Sequence, residues 1–384
     1  MISRHGRDNK LKVWQLPASS SINPGAEWSQ QGFSTVPPIE DAVTERKPPW
    51  LLHSLTVNAL NFCSFAMISP PSQYPPAAAD QAQHNANGIS FDHETLIVAT
   101  PGLEDGQIIL TSLPSETRLS TVLPPAEAKP KTGMVMAIAL HYPPSPPSTT
   151  TAASTPSTAA PLPSIYAGYE SGHTAIFIPT PNSNPSSPQD PLKTTKWQTT
   201  YLSQPHTQPL LSLCLSPKKK IWYSSSADAV IARHPLYPCP ATTSTAAPKV
   251  FGTKHAGQQS LTVRGGDEKV MASAGWDGRV RVYAVSAGSS SNKSREEGLR
   301  ELACLKWHAA GVGSVAFGEV AGSKKGEGGA AGVDGEEEKG KRVLTTSEGG
   351  RRLTVAEQRV KKTRETHWLA AGGKDGRISL WDIY

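Results

Sequence analysis

One phrase recurs six times along this chain, and any fold proposed for it has to accommodate all six copies. They read HGRDNKLKVWQL (5–16), PGLEDGQIILTSL (101–113), AGYESGHTAIFI (167–178), SSSADAVIARHPL (224–236), SAGWDGRVRVYAV (273–285) and GGKDGRISLWDIY (372–384). Small residues lead into an acidic or polar turn, and apolar positions then alternate with polar ones toward an aromatic. Asp-Gly and Asp-Asn tolerate the positive φ of a tight turn, and a period of two, as in Val280 and Val282 or Ile378 and Leu380, gives a strand with one buried face. Each copy therefore predicts a β-hairpin.

A second apolar segment precedes five of the copies: 57–62, 135–140, 210–215, 260–263 and 314–317. Such near-continuous apolar runs suit strands buried on both faces, close to a shared axis. Four of these segments follow a histidine, which lies 22 residues before the turn acid for His206 and Asp228 and again for His255 and Asp277. The interval is 52 from His53 to Asp105 and 67 from His308 to Asp375, and both excesses fall on low-complexity sequence. Stretches rich in Pro, Ser, Gly or charge near 70–88, 141–164, 179–198, 238–250, 286–298 and 319–366 cannot bury a core and are predicted to be disordered loop insertions in a single domain spanning 1–384. Without them about 45 residues remain per unit, the length of one four-stranded propeller blade.

These units, with Trp381-Asp382 closing the last one, resemble the WD40 repeat family. The fold expected is an all-β WD40 β-propeller, with about five blades and a partial one in this chain and seven in the intact protein. Met1 falls just before the first turn, so the first unit is expected to lack two strands. The chain is accordingly expected to be truncated at its N-terminus, by roughly 65 residues at 40 to 45 per blade. The resemblance implies a hydrogen-bonded repeat network that pairs His206 with Asp228, His255 with Asp277 and His308 with Asp375, and that uses a Ser or Thr and a strand tryptophan such as Trp381. The unit around Ser171 lacks both the histidine and the aspartate.

Composition narrows the function classes. Pro (34) and Gly (32) are abundant while charged residues are only 18%, which excludes coiled coils and long helical bundles. The net charge of +6 is spread along the chain, so direct nucleic-acid binding is not expected. The four cysteines form no Cys-x-x-Cys pair, and Cys63 and Cys214 sit in apolar runs, as reduced buried thiols do. The N-terminus has no signal-peptide apolar region, and runs such as 134–140 are too short to span a bilayer, so no membrane association is expected. No Gly-x-Ser-x-Gly elbow, His-Glu-x-x-His pair or P-loop occurs; His93-Glu94 lacks a second histidine, and the glycines around Gly326 follow no strand pattern. Neither an enzyme, a metal site nor a cofactor is expected.

Two features can carry recognition. A cation follows the turn acid by two residues at Lys10, Arg279 and Arg377; with Arg7, Lys374 and Trp276 these would form a basic partner surface with an aromatic anchor. The last insertion holds an acidic run (334–338) and the basic run RVKKTRE (359–365), a candidate nuclear-import or nucleic-acid signal.

The segments HGRDNKLKVWQLP, GYESGHTAIF and WLAAGGKDGRISLWDIY resemble the fungal ASTRA-associated protein 1 family. The resemblance implies a nuclear, non-catalytic scaffold subunit of the ASTRA chromatin-remodelling assembly. Its partners there would be a giant kinase-like transcription cofactor, a co-chaperone trio that matures PI3-kinase-like proteins, and an AAA+ ATPase pair. A ubiquitin-ligase substrate receptor or a Gβ-like signalling subunit is the alternative that the propeller fold alone leaves open.

Overall fold

An alternating strand exposes half of its backbone hydrogen-bonding groups until a neighbour pairs with it, and each hairpin of this chain recruits such neighbours. The computed structural model describes residues 2–5, 9–15, 50–58, 65–71, 95–143, 162–180, 195–237, 247–285, 298–318, 320 and 355–383. These residues form six sheets. The first comprises β1 (Ile2–His5), β2 (Lys10–Gln15) and β3 (Trp50–Thr56); the second β4 (Ala66–Ile68), β5 (Leu96–Pro101), β6 (Ile108–Leu113) and β7 (Thr117–Val122). The third comprises β8 (Val135–His141), β9 (Ser164–Tyr169), β10 (Thr174–Thr180) and β11 (Lys196–Ser203); the fourth β12 (Leu210–Ser216), β13 (Ile221–Ser226), β14 (Val230–Pro235) and β15 (Lys249–Gly252). The fifth comprises β16 (Gln258–Val263), β17 (Val270–Gly275), β18 (Arg279–Val285) and β19 (Leu299–Lys306); the sixth β20 (Val312–Phe317), β21 (His367–Gly373) and β22 (Ile378–Ile383). Within each sheet the strands pair antiparallel in chain order, and the sheets follow one another as the blades of a WD40 β-propeller.

All six repeat copies map onto hairpins, from β1–β2 to β21–β22. The sequence reading leaves the first unit two strands short, but β1 fills one of those places, pairing Ile2 with Trp14 and His5 with Leu11. The strand predicted at 57–62 does not open the second sheet. That place belongs to Ala66–Ile68, while Val57 runs on from β3, donates its amide to Asn9 (2.9 Å) and joins the core; 59–62 lie outside the described residues.

Blades pack face to face, and period-2 alternation supplies both faces. Trp222 packs toward the third sheet with Tyr166 and Tyr201, whereas its neighbour Tyr223 packs toward the fifth with Leu261 and Met271. Five apolar clusters fill the five spaces between consecutive sheets: Leu11, Val13 and Val98; Ile97, Ile108 and Ile165; Tyr166, Ile176 and Trp222; Tyr223, Ile231 and Met271; Val280, Val312 and Leu369. Burial on two sides is why these strands read as nearly continuous apolar runs.

The insertions are not distributed at random. In an up-and-down blade the first-to-second and third-to-fourth connections leave from one end, and the second-to-third turns and the passages between sheets from the other. Every predicted insertion falls on a connection of the first kind, such as β4–β5, β8–β9, β10–β11 and β20–β21. The opposite end carries turns as short as 227–229 and 276–278 and passages such as 204–209 and 307–311. Four insertions give way to structure at their ends, where β8 closes at His141 and β9 opens at Ser164, β11 starts at Lys196, β15 at Lys249, and helix α1 (Val355–Glu365) precedes β21. The helical segment has no Pro or Gly, and its end is fastened where Trp368 Nε1 donates to the Thr363 carbonyl at 3.0 Å. The greater part of each insertion lies outside the described residues.

Candidate functional site

At the short-loop end, backbone hydrogen bonds tie the turns of the third to sixth sheets to the passage beside them. Ser171 N donates to Thr132 O (3.1 Å), Ala227 N to Pro209 O (3.1 Å), Trp276 N to Gly257 O (3.0 Å) and Lys374 N to Gly311 O (2.8 Å). The third and fifth turns also abut the next passage: a Cβ on Gly172 would lie 2.2 Å from the His206 carbonyl oxygen, and one on Gly278 would lie 2.9 Å from that of His308. From the third sheet to the sixth, this end is a hydrogen-bonded rim.

Beneath the rim, side chains of the fourth sheet form a directional chain. His206 Nδ1 lies 3.2 Å from both carboxylate oxygens of Asp228, and its Nε2 lies 2.8 Å from Ser224 Oγ. Ser224 Oγ is also 2.8 Å from His234 Nε2, and His234 Nδ1 is 2.9 Å from the Tyr201 hydroxyl. A carboxylate only accepts, so His206 donates from Nδ1 and accepts at Nε2 from the Ser224 hydroxyl; His234 then donates from Nε2 to Ser224 and accepts from Tyr201. Both rings are neutral in this arrangement. Burial, with the neighbouring His206 adding to it, holds His234 well below its ordinary 6.5. Burial also lowers His206, against the opposing pull of Asp228. His234 stands where Trp381 stands in the sixth sheet, and it stacks on Trp222 at 4.0 Å.

The sixth sheet builds a shorter version. His308 Nδ1 donates to Asp375 (3.1 Å), and its Nε2 and Trp381 Nε1 both lie 2.9 Å from Ser379 Oγ. The serine has changed strands. Ser224 faces Ala232 across the fourth-sheet hairpin, whereas Ala371 faces Ser379 in the sixth, so either strand can supply the hydroxyl. Burial works against the charge of Asp375, but the His308 hydrogen bond and the amides of Arg377 and Ala309 outweigh it and lower its pKa.

The predicted pairing of His255 with Asp277 does not form. Asp277 is instead gripped by Arg281, with Nη2 to Oδ2 at 2.6 Å and Nη1 to Oδ1 at 3.3 Å. Arg281 occupies the β18 position that is Ala232 in the fourth sheet and Ser379 in the sixth, and its guanidinium fills the space those small residues leave for a histidine. The equal spacing of 22 is a cancellation: the approach from His255 to Gln258 is one residue shorter than from His206 to Leu210, and the span from there to the paired strand is one longer. His53 likewise departs from expectation, lying on β3 with Nδ1 2.9 Å from Glu116 and away from Asp105. In the third sheet, wholly buried Tyr169 stands at the register position held by Ser226, Gly275 and Gly373 in the next three sheets. Ser171 holds the turn-acid position in this unit and bonds His173 (2.8 Å).

Of the predicted partner surface, Trp276, Arg279, Lys374 and Arg377 come together on the rim of the fifth and sixth sheets. Lys10 opens β2 in the first sheet, apart from them, and Arg7 lies outside the described residues. The sequence reading omits Trp307, which is 50% exposed beside His308; the Arg377 guanidinium sits 5.9 Å from its ring centroid. Trp276 is 47% exposed and donates Nε1 to Gln259 (2.7 Å), and Lys306 faces Arg279 in register. Among the described residues no group of three or more His, Cys, Asp or Glu side chains is placed to hold a metal, and no helix is long and apolar enough to cross a membrane.

Residues 360–382, from the middle of α1 into β22, match the WD domain, G-beta repeat family. Over 99% of its length the chain is 38% identical to ASTRA-associated protein 1 of Aspergillus flavus, covering 80% of that protein. The proteins of the same name from Penicillium rubens and Verticillium alfalfae are each 38% identical over 100% of the chain, with 82% and 77% of their lengths covered. The chain belongs to the ASTRA-associated protein 1 family. The propeller of this family member differs from the repeat pattern where Arg281, His234 and Tyr169 stand. Of what was missed, Trp307, directly before His308, offered a sequence signal.

Proposed function

We propose that this chain is a non-catalytic scaffold subunit of the nuclear ASTRA complex, which organises chromatin and is linked to the maturation of PI3-kinase-like proteins. The observation that carries this reading is the 38% identity along nearly the whole chain to proteins named for ASTRA association. The architecture supports it: the turn histidines and acids, which an enzyme would use as bases, are spent on hydrogen bonds within the blades. The partners are the kinase-like transcription cofactor, the co-chaperone trio and the AAA+ ATPase pair of that assembly, without direct contact to nucleic acid or membrane. The experiment is affinity purification of the tagged chain from a fungal nuclear extract. Recovery of the cofactor with its co-chaperones is the expected result; recovery of a cullin adaptor or a γ-like helix in their place would overturn it. For localisation, a fluorescently tagged chain accumulates in the nucleus, and removal of 321–364 tests whether the basic run 359–365 directs it there.

A further inference from the structure

We infer that the rim of the fifth and sixth sheets is a docking site for an acidic, extended segment of a partner protein, seated on Trp276 and Trp307. The inference shares with the scaffold reading only the need for a protein partner. Two half-exposed tryptophans lie on adjoining parts of the rim: Trp276 in the β17–β18 turn, whose backbone packs on Gly311, and Trp307 in the 307–311 passage that ends at Gly311. Four cations surround them. Lys306 and Arg279 are register partners, Arg377 lies over the Trp307 ring, and the Lys374 amide is bonded to Gly311.

The charge around this patch is unbalanced for a specific reason. The two carboxylates of its turns already have partners: Asp277, itself 36% exposed, is bonded to buried Arg281 at 2.6 Å, and Asp375 to His308 at 3.1 Å. Only Arg279 shares one of them, at 3.9 Å from Asp277. Among the described residues Lys306, Lys374 and Arg377 have no carboxylate partner, and exposed tryptophan with arginine is the composition that anchors protein interfaces. The backbone bonds along the rim fix the patch before any partner arrives, which lowers the entropic cost of binding. A nucleic acid is disfavoured because the basic track covers only two blades, and phosphate-backbone recognition scales with the number of cations in line.

The test is fluorescence anisotropy of the full chain with a labelled twelve-residue peptide of Glu and Asp carrying one central Phe, alongside the peptide with Gln and Asn in place of its acids. The acidic peptide is expected to bind at least about tenfold tighter, and to weaken as salt rises because the charges are exposed. Lys374→Glu with Arg377→Glu, and separately Trp307→Ala, should each reduce affinity about tenfold. Lys131→Glu, on the rim between the second and third sheets, should leave it unchanged. All these side chains are exposed, and the milder Lys374→Gln with Arg377→Gln gives a second reading should the reversal unfold the chain. Equal affinity for the two peptides, an equal loss with Lys131→Glu, or tighter binding of a single-stranded oligonucleotide would each overturn the site. Co-purification is read separately: ASTRA subunits retained by a variant that has lost the peptide would leave the scaffold reading standing without this surface as their contact.

Discussion

Ser224 is the single atom bridge between two buried histidines, and its loss strands both. Removing the hydroxyl leaves His206 Nε2 without its donor and His234 Nε2 without its acceptor, so Ser224→Ala is expected to cost about 2 to 4 kcal/mol, read as a lower urea midpoint at unchanged slope. The two histidines that look alike in sequence should part company under the same measurement. His206→Ala forfeits the Asp228 and Ser224 bonds and should cost about 3 kcal/mol; His255→Ala, outside the polar chain, should cost less than about 0.5 kcal/mol. The pH dependence follows from burial. His234 and His206 are neutral when folded, with pKa values lowered from 6.5, and regain ordinary values on unfolding. Below about pH 6.5 the unfolded chain therefore binds more protons, and stability, full above that pH, falls toward the depressed folded values, at about 1.4 kcal/mol per unit of depression for each histidine. Denaturation midpoints measured from pH 8 to 5 should show this loss, and His234→Gln should shallow it; an equally steep profile in that variant would count against the assignment. Of these residues the sequence exposed His206, Asp228, His308 and Asp375 by their spacing. It concealed Arg281 and His234, because nothing local tells which strand's side chain reaches a turn acid.

At the scale of elements, the hairpins were legible because two local signals coincide in them, a turn acid with glycine and an apolar alternation. The fourth strands were harder: β11 and β15 begin within polar, Pro-rich or Ser/Thr-rich surroundings, and only a neighbouring edge makes them strands. The turns themselves respond to tertiary contact. Gly172 has φ +81° and its added Cβ would meet the backbone carbonyl of His206, whereas Gly376 at φ +74° has open space. Gly376→Ala should thus cost only the left-handed conformation, about 1 kcal/mol. Gly172→Ala should cost at least about 2 kcal/mol more, because a backbone oxygen cannot move aside without separating the third and fourth blades. Comparing the two variants by chemical denaturation checks this difference.

For the whole molecule, the sorting of connections by end is the property with most consequence. His141 and Ser164 are register partners at the close of β8 and the start of β9, so a tight turn can join them. Replacing residues 144–161 by a four-residue turn should therefore leave the melting temperature within a few degrees, since loop-closure entropy changes slowly with length. An equal length inserted into the turn at 276–278 should be far more damaging, because that turn is hydrogen-bonded to Gly257 on one side and packed against His308 and Gly311 on the other. Thermal melts of the two chains distinguish these outcomes. The sequence by itself determined the number of hairpins, the blade architecture and the family, because period-2 patterning and turn chemistry are local and repeat. Only the tertiary structure decided which polar side chains meet beneath each turn and which tryptophans share a rim. Those contacts join residues from different strands and blades, where a one-residue change in either of two segments moves a side chain out of reach.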